Sequence, residues 1–365
     1  MKLFYNFKVP TMKERQTEFS MYKNLSFEMS KKVTKHYSTS FYSATQLFSA
    51  PIREGVYGIY GFVRLADEIV YSFYGFDQQA ILYRFETDYD FAKEQGVSCN
   101  PIINAFITTV NRYEIEDSYV RSFLGSMRAD LDKKIYSSRQ EMDSYIYGSA
   151  DVVGLMCLSV FCGDDKKLFE ELKAPAMRLG SAFQKINFLR DLRQDVTELG
   201  RLYFHGFSIE QFDDKIKQEL VSDIQADFDA AYKGIVQLPE SSRLAVLTAY
   251  RYYVRLLEKI NNTPAKKLIS RRIRVYNADK FRLLLNTLVT TLGFVVLLAD
   301  GRIEALLIWL AATLLTRIFV SITTVMRVLD NLLLFVPQQL MLGKFIVRSI
   351  LNSRNKTFRW KGRSI

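Results

Sequence analysis

Between about residues 20 and 280, apolar side chains return every three or four positions, the spacing of one face of an α-helix. The pattern is clearest over residues 54–74, 115–135, 143–162, 175–197 and 241–260. Short polar breaks, Phe76-Asp77-Gln78, Gly96-Val97-Ser98 and Gly163-Asp164-Asp165, separate some of these segments. No alternating run bounded by hairpin turns stands out, and no internal repeat is visible. An all-α domain is predicted. Further on the pattern changes. Residues 283–299 are an apolar run of 17 positions broken only by Asn286 and three threonines. The link Asp300-Gly301-Arg302 leads into residues 303–326, again mostly apolar but interrupted by Glu304 and Arg317. Each run approaches the ~20 residues that a helix needs to cross a hydrocarbon core. Residues 329–350 mix apolar and polar positions as an interfacial helix does. The chain thus divides into three regions: an N-terminal segment over 1–24, a helical domain over 25–282, and a membrane-associated helical tail over 283–365.

Composition supports long helices. Of 365 residues, 48% are apolar, with 27 Phe and 21 Tyr, while Gly (17) and Pro (7) are scarce. The three cysteines, Cys99, Cys157 and Cys162, have neither metal-ligand spacing nor an even number for a disulfide framework. They read as buried thiols in a reducing compartment. The opening MKLFYNFKVPTMKERQ lacks a long apolar core and a small-residue cleavage site, so no signal peptide is expected.

Charge changes the picture of the tail. Net charge is +11, and residues 266–365 carry 17 Lys and Arg against 4 Asp and Glu. Because these cations flank apolar runs, an anionic membrane surface is the expected partner rather than nucleic acid. Basic positions lie before the first run (Arg271, Arg272, Arg274, Lys280, Arg282) and after the second (Arg327, Lys344, Arg348, Arg354). Under the positive-inside tendency both ends face the cytoplasm, so the tail is expected to anchor the chain to the cytoplasmic face of a membrane. Arg317 would be costly at mid-bilayer, which leaves two buried helices of a soluble domain as the competing reading.

The densest chemistry is Asn187-Phe188-Leu189-Arg190-Asp191-Leu192-Arg193-Gln194-Asp195. Within a helix, Asn187, Asp191 and Asp195 share one face a turn apart, flanked by apolar Ile186, Phe188, Leu189 and Leu192. Carboxylates one turn apart suit Mg²⁺, a hard ion that takes carboxylate and phosphate oxygens. The plainer reading is a solvated helix face with Arg190 and Arg193 as local charge partners. Upstream, residues 55–70 read as an apolar helix in which Arg64 precedes the acidic pair Asp67-Glu68.

Together these two motifs resemble the squalene/phytoene synthase family, the head-to-head prenyltransferases. Further matching segments run in order: Tyr37-Ser38-Thr39-Ser40-Phe41, Met127 through Asp130 with Tyr136, Tyr145-Ile146-Tyr147-Gly148, and Val153-Gly154. Gln184 through Asp195, Gly200-Arg201-Leu202-Tyr203, Tyr253 and Arg271-Arg272-Ile273 complete the series. The resemblance covers roughly residues 25–282. It implies an isoprenoid-synthase-type helical barrel and the joining of two prenyl diphosphates through a cyclopropylcarbinyl diphosphate. Geranylgeranyl diphosphate is the preferred substrate and phytoene, or a shorter analogue, the product. The implied metal ligands are Asp67, Asn187, Asp191 and Asp195, with Glu68 as a recruit, for Mg²⁺ or Mn²⁺ in its place. Asp67, Tyr147, Asp191 and Asp195 would be catalytic. Ser38, Ser40, Arg64, Gln184, Asn187, Arg190, Tyr253 and Arg272 would contact substrate. Ser38 and Ser40 would otherwise be helix N-caps. Enzymes of carotenoid synthesis are the implied partners, and NADPH is not expected.

Two features depart from the resemblance within the domain. The family's first motif carries a second aspartate four residues after the first, and here that residue is Tyr71. A neutral phenol is a poor Mg²⁺ ligand, so an impaired family member acting as a membrane scaffold is the alternative. Lys185 stands where the family usually has an apolar residue, either touching phosphate or snorkelling outward. The tail extends about 80 residues past the family's usual end, and its closing Trp-Lys-Gly-Arg weakly resembles the membrane tail of family-2 glycosyltransferases. No sugar transfer is expected. A terpene cyclase or chain-elongating prenyltransferase would share the metal chemistry but not these segments.

Overall fold

In the computed structural model the described residues are 12–133, 135–197 and 200–270, together with Glu304, Ala311, Leu315, 359–360 and 363–364. The chain divides into two compact units, Met1–Arg274 and Val275–Ile365.

The first unit is built from helices. The order is α1 (Met12–Tyr37), α2 (Thr39–Thr45), α3 (Ala50–Ser72), α4 (Gln78–Gln95), α5 (Pro101–Tyr113), α6 (Asp117–Asp132) and α7 (Arg139–Ile146). A π-helical turn at Tyr147–Asp151 then leads into α8 (Val152–Cys162), α9 (Lys166–Thr197), α10 (Asp214–Ile235), α11 (Glu240–Asn261) and α12 (Ala265–Ser270). Local chemistry sets many of these boundaries. Asp77, Asn100, Ser138 and Asp213 cap the N-termini of α4, α5, α7 and α10, their side chains accepting backbone N–H groups that the helix leaves orphaned. Gly96 ends α4 at φ 72°, a left-handed conformation open to glycine. The predicted breaks at 76–78, 96–98 and 163–165 therefore all fall at junctions between helices.

α3 buries Ile52, Val56, Ile59, Phe62, Ala66 and Ile69, the three-and-four spacing read from the sequence. Phe62 is the hub of the core, stacked on Phe106 at 4.0 Å and packed against Phe85, Tyr89 and Phe123. The packing closes a ring. α3 lies against α1, α1 against α2, α2 against α11, α11 against α9, α9 against α8, and α8 against α3. α3 and α9, which carry the two acidic motifs, are not packed closely on each other and form separate walls of the ring.

The segment 143–162, read as one helical pattern, is interrupted by the π turn. A π turn inserts an extra residue and shifts the helical phase of the positions after it. Gly148, in this turn, lets the backbone approach α6. A Cβ there would collide with Ser126 Oγ and fall 2.6 Å from the Ser122 carbonyl oxygen. Gly180 of α9 meets the turn in the same way, with a Cβ falling 2.7 Å from the Ala150 carbonyl oxygen. The run Arg139–Cys162 is long and apolar enough to cross a membrane by length and composition, but most of it is buried in the unit's core.

In the second unit, Arg359–Trp360 and Arg363–Ser364 pair antiparallel. Two-residue strands are too short to produce a readable alternation. The membrane segments expected at 283–299, 303–326 and 329–350 lie outside the described residues.

Candidate active site

The second acidic motif sits near the C-terminal end of α9. Ile186, Phe188, Leu189 and Leu192 are buried, which turns Asn187, Asp191 and Asp195 to a shared, half-buried stripe. Arg190 grips its neighbour Asp191 in a two-pronged contact, Nη2 to Oδ2 at 2.6 Å and Nε to Oδ1 at 3.1 Å. The Asp195 backbone carbonyl accepts the Arg201 N–H at 2.7 Å, tying the loop after α9 back onto it. From α11, the Tyr253 hydroxyl reaches Asn187 Oδ1 at 3.4 Å, and its ring stacks on Phe183 at 3.9 Å. Gln184 lies half-buried one turn before Asn187.

On the facing wall, α3 presents Arg64, Asp67, Glu68 and Tyr71. Arg64 holds Glu68 in a close ion pair, stands 3.8 Å from Asp67, and lies 4.3 Å over the Tyr37 ring. Asp67 is half-buried among the helices. Burial pushes its carboxyl up to about 7, with Arg64 opposing and Asp130 and Glu68 adding to the rise. Glu68 is paired with Arg64 one turn away on the same helix.

Tyr71 donates its hydroxyl to Asp130 Oδ2 from α6. The same oxygen accepts Tyr145 Oη at 2.6 Å, and Tyr136 Oη reaches Asp130 Oδ1 at 3.4 Å. Asp130 is only 1% exposed. Burial raises its carboxyl while the Tyr145, Tyr71 and Tyr136 hydroxyls and nearby Arg201 hold it down. Arg201 donates to the Asp130 backbone carbonyl and lies 4.9 Å over the Tyr71 ring. Beside this knot, Tyr203 stacks on Phe188 at 4.1 Å, on Tyr145 at 5.3 Å and on Tyr136 at 5.6 Å. Aromatic faces of this kind stabilise a nearby cation.

Tyr60 links the two walls. Burial raises its hydroxyl to about 12, with Arg64 opposing and both Asp67 and Tyr253 contributing. Its ring stacks on Phe41 of α2 at 5.0 Å. Tyr60 thus lies near Asp67 and Tyr253, and Tyr253 near Asn187 and Asp191. Ser38 caps α2, accepting the Phe41 N–H at 3.3 Å.

Other expected residues fall elsewhere. Tyr147 is 37% exposed on the π turn, whereas Tyr145, two residues earlier, meets Asp130. Two residues apart, Tyr145 and Tyr147 point to different faces of the helix. Lys185 neither snorkels nor lines the stripe. It is buried against α10, 2.5 Å from Asp223 and 2.7 Å from Asp227. The side chain of Ser40 and the whole of Arg272 lie outside the described residues. Asp130, Tyr145, Tyr203 and Arg201 lie in segments that carried the resemblance, but nothing marked them individually as site residues. Tyr60 had no signal beyond its place on an apolar helix.

Among the described residues, no three carboxylate, histidine or cysteine side chains converge on a point where one ion would sit. A divalent ion here would therefore take one or two carboxylates from a single helix and complete its shell with phosphate oxygens and water, the usual habit of Mg²⁺. Asn187, Asp191 and Asp195 fit that requirement. The first motif fits it less well, with Tyr71 donating to Asp130.

Comparison with known proteins leads to the same family. The sequence pattern that defines squalene/phytoene synthases matches residues 34–279, well over half of the chain. A phytoene synthase of Arthrospira platensis is 27% identical over 266 residues, covering 64% of this chain and 84% of that protein. The chloroplastic phytoene synthase 1 of Zea mays is 25% identical over 280 residues, covering 69% of this chain and 66% of that one. A dehydrosqualene synthase solved with a ligand superimposes with a TM-score of 0.58 at 22% identity, covering 66% of this chain and 97% of that one. A squalene synthase of Alicyclobacillus acidocaldarius gives 0.58 at 20% identity, covering 69% and 97%. The helical ring is the all-α isoprenoid-synthase fold. With the fold, the two acidic walls and the match over residues 34–279 in agreement, the chain belongs to the squalene/phytoene synthase family of prenyltransferases.

Proposed function

We propose that this chain condenses two prenyl diphosphates head to head, geranylgeranyl diphosphate foremost, to give phytoene or a shorter analogue. The observation that supports this best is the pair of acidic motifs on separate walls of one helical ring. In this reading Asp67 on one wall and Asn187, Asp191 and Asp195 on the other would hold Mg²⁺ ions, or Mn²⁺ in their place. These ions would offset the charge that builds on departing pyrophosphate. Arg64 and Arg190, each already set against a carboxylate, would contact phosphate oxygens. The stacked faces of Tyr145, Tyr203 and Phe188 would shelter the allylic cation and keep water from it. The first condensation forms a cyclopropylcarbinyl diphosphate with loss of one pyrophosphate and one proton. The second ionisation expels another pyrophosphate, and loss of a second proton gives the central triene. No hydride donor enters.

The tail would hold the chain at a membrane surface, where both substrate and product partition, and enzymes that consume the hydrocarbon would be its partners. The Tyr71–Asp130 bond favours a second reading, a scaffold with impaired catalysis, and product identity separates the two. Given geranylgeranyl diphosphate and Mg²⁺ without NADPH, the full chain is expected to yield a C40 hydrocarbon, read by mass spectrometry. A hydrocarbon formed only when NADPH is added would assign the reductive branch instead.

A further inference from the structure

α1 is polar where it is buried and apolar where it is exposed. Ser26, Ser30 and Thr34, each one turn after the last, are fully buried. This face packs on α3 and α5. Small side chains suit it because the backbones approach closely, and a Cβ on Gly61 of α3 would fall 2.8 Å from Ser30 Oγ. Ser26 and Thr34 donate their hydroxyls back into the helix, to the Tyr22 and Ser30 carbonyls at 2.8 and 2.9 Å. The opposite face carries Met21, Leu25 and Met29, again a turn apart. All three are exposed, Met21 to 67% and Leu25 to 53%. The core makes no use of this stripe. The same line of positions continues into Lys32 and His36, with Lys35 beside them. These three basic side chains line an open depression of about 340 Å³. Glu28, at the edge of the stripe, is paired with Lys31 at 3.0 Å.

We propose that the outer face of α1 docks the helical unit onto an anionic lipid surface. Met21, Leu25 and Met29 enter the acyl boundary, and Lys32, Lys35 and His36 meet lipid phosphates, as in an interfacial amphipathic helix. Charge complementarity selects this occupant. The basic end calls for an anionic partner and the apolar stripe for a hydrocarbon one, and an anionic bilayer supplies both at one boundary. α1 ends at Tyr37, whose ring lies 4.3 Å from the Arg64 guanidinium, so the docked helix adjoins the α3 wall of the site. This contact is separate from the tail, and it holds whichever hydrocarbon the site makes.

The test puts p-benzoylphenylalanine in place of Leu25 in the full chain and irradiates it on vesicles of mixed phosphatidylglycerol and phosphatidylcholine. Circular dichroism would show that each protein is folded, and mass spectrometry of the adducts reads what covers the face. A lipid adduct is expected. Lys32→Glu with Lys35→Glu is expected to lower its yield about fivefold or more, since one juxtamembrane lysine alone is worth about that factor. Vesicles of phosphatidylcholine alone should give a similarly low yield. Cross-linking to a second copy, or to the chain's own tail, would overturn the lipid surface and identify the occupant instead. No adduct at all, or a lipid adduct indifferent to both the lysines and the lipid charge, would overturn it as well.

Discussion

Replacing Asp191 by asparagine is expected to lower product formation on the order of a thousandfold, the scale on which loss of one preorganised charge-stabilising group acts. Asp191 is the centre of the α9 stripe, one turn from both Asn187 and Asp195, and is gripped by Arg190 through two nitrogens. Asparagine keeps the shape and one oxygen but removes the charge. It would weaken the hold on the divalent ion and release Arg190 from its set position at once. The substitution falls at a half-buried position on the helix surface, so helix content and the thermal transition should barely move. Initial rates with prenyl diphosphate and Mg²⁺, beside a circular dichroism melt, would check both halves. Turnover close to that of the unaltered chain would remove Asp191 from the metal site.

The second large effect is on stability. Lys185 is 6% exposed in its side chain and Asp227 5%, and their charged atoms are 2.7 Å apart between α9 and α10. Asp223 at 2.5 Å and Arg178, 3.0 Å from Asp227, complete the cluster. Breaking a buried pair from one side leaves an uncompensated charge and typically costs about 3–5 kcal/mol. Lys185→Met is therefore expected to destabilise the domain by roughly 3 kcal/mol, which lowers Tm by about 10 °C for a domain of this size. Replacing both partners, Lys185→Met with Asp227→Leu, should recover more than half of that loss, because neither charge is then stranded. A double variant no more stable than the single one would show that the pair acts through something other than its charges.

How much of this was readable in the sequence depends on distance along the chain. The α9 stripe was legible because its members lie within nine consecutive residues and the helical period alone brings Asn187, Asp191 and Asp195 together. The helix-rich class came from three-and-four spacing with little Gly or Pro. The Lys185 pair was not legible, since its partners lie 38 and 42 residues on, in another helix. The same holds for Tyr71, whose acceptor is 59 residues away on α6. Without that acceptor, Tyr71 reads only as a missing carboxylate. The contact of Tyr145 with Asp130 was not legible either, since the two lie 15 residues apart on different helices.

The central claim is that two diphosphates are consumed to build one hydrocarbon. The measurement that tests it most directly is the ratio of pyrophosphate released to hydrocarbon formed, with the full chain in detergent, Mg²⁺, geranylgeranyl diphosphate and no NADPH. Two pyrophosphates per C40 hydrocarbon is the predicted result. Pyrophosphate released beside a C20 alcohol, or no release from a folded sample, would contradict the account.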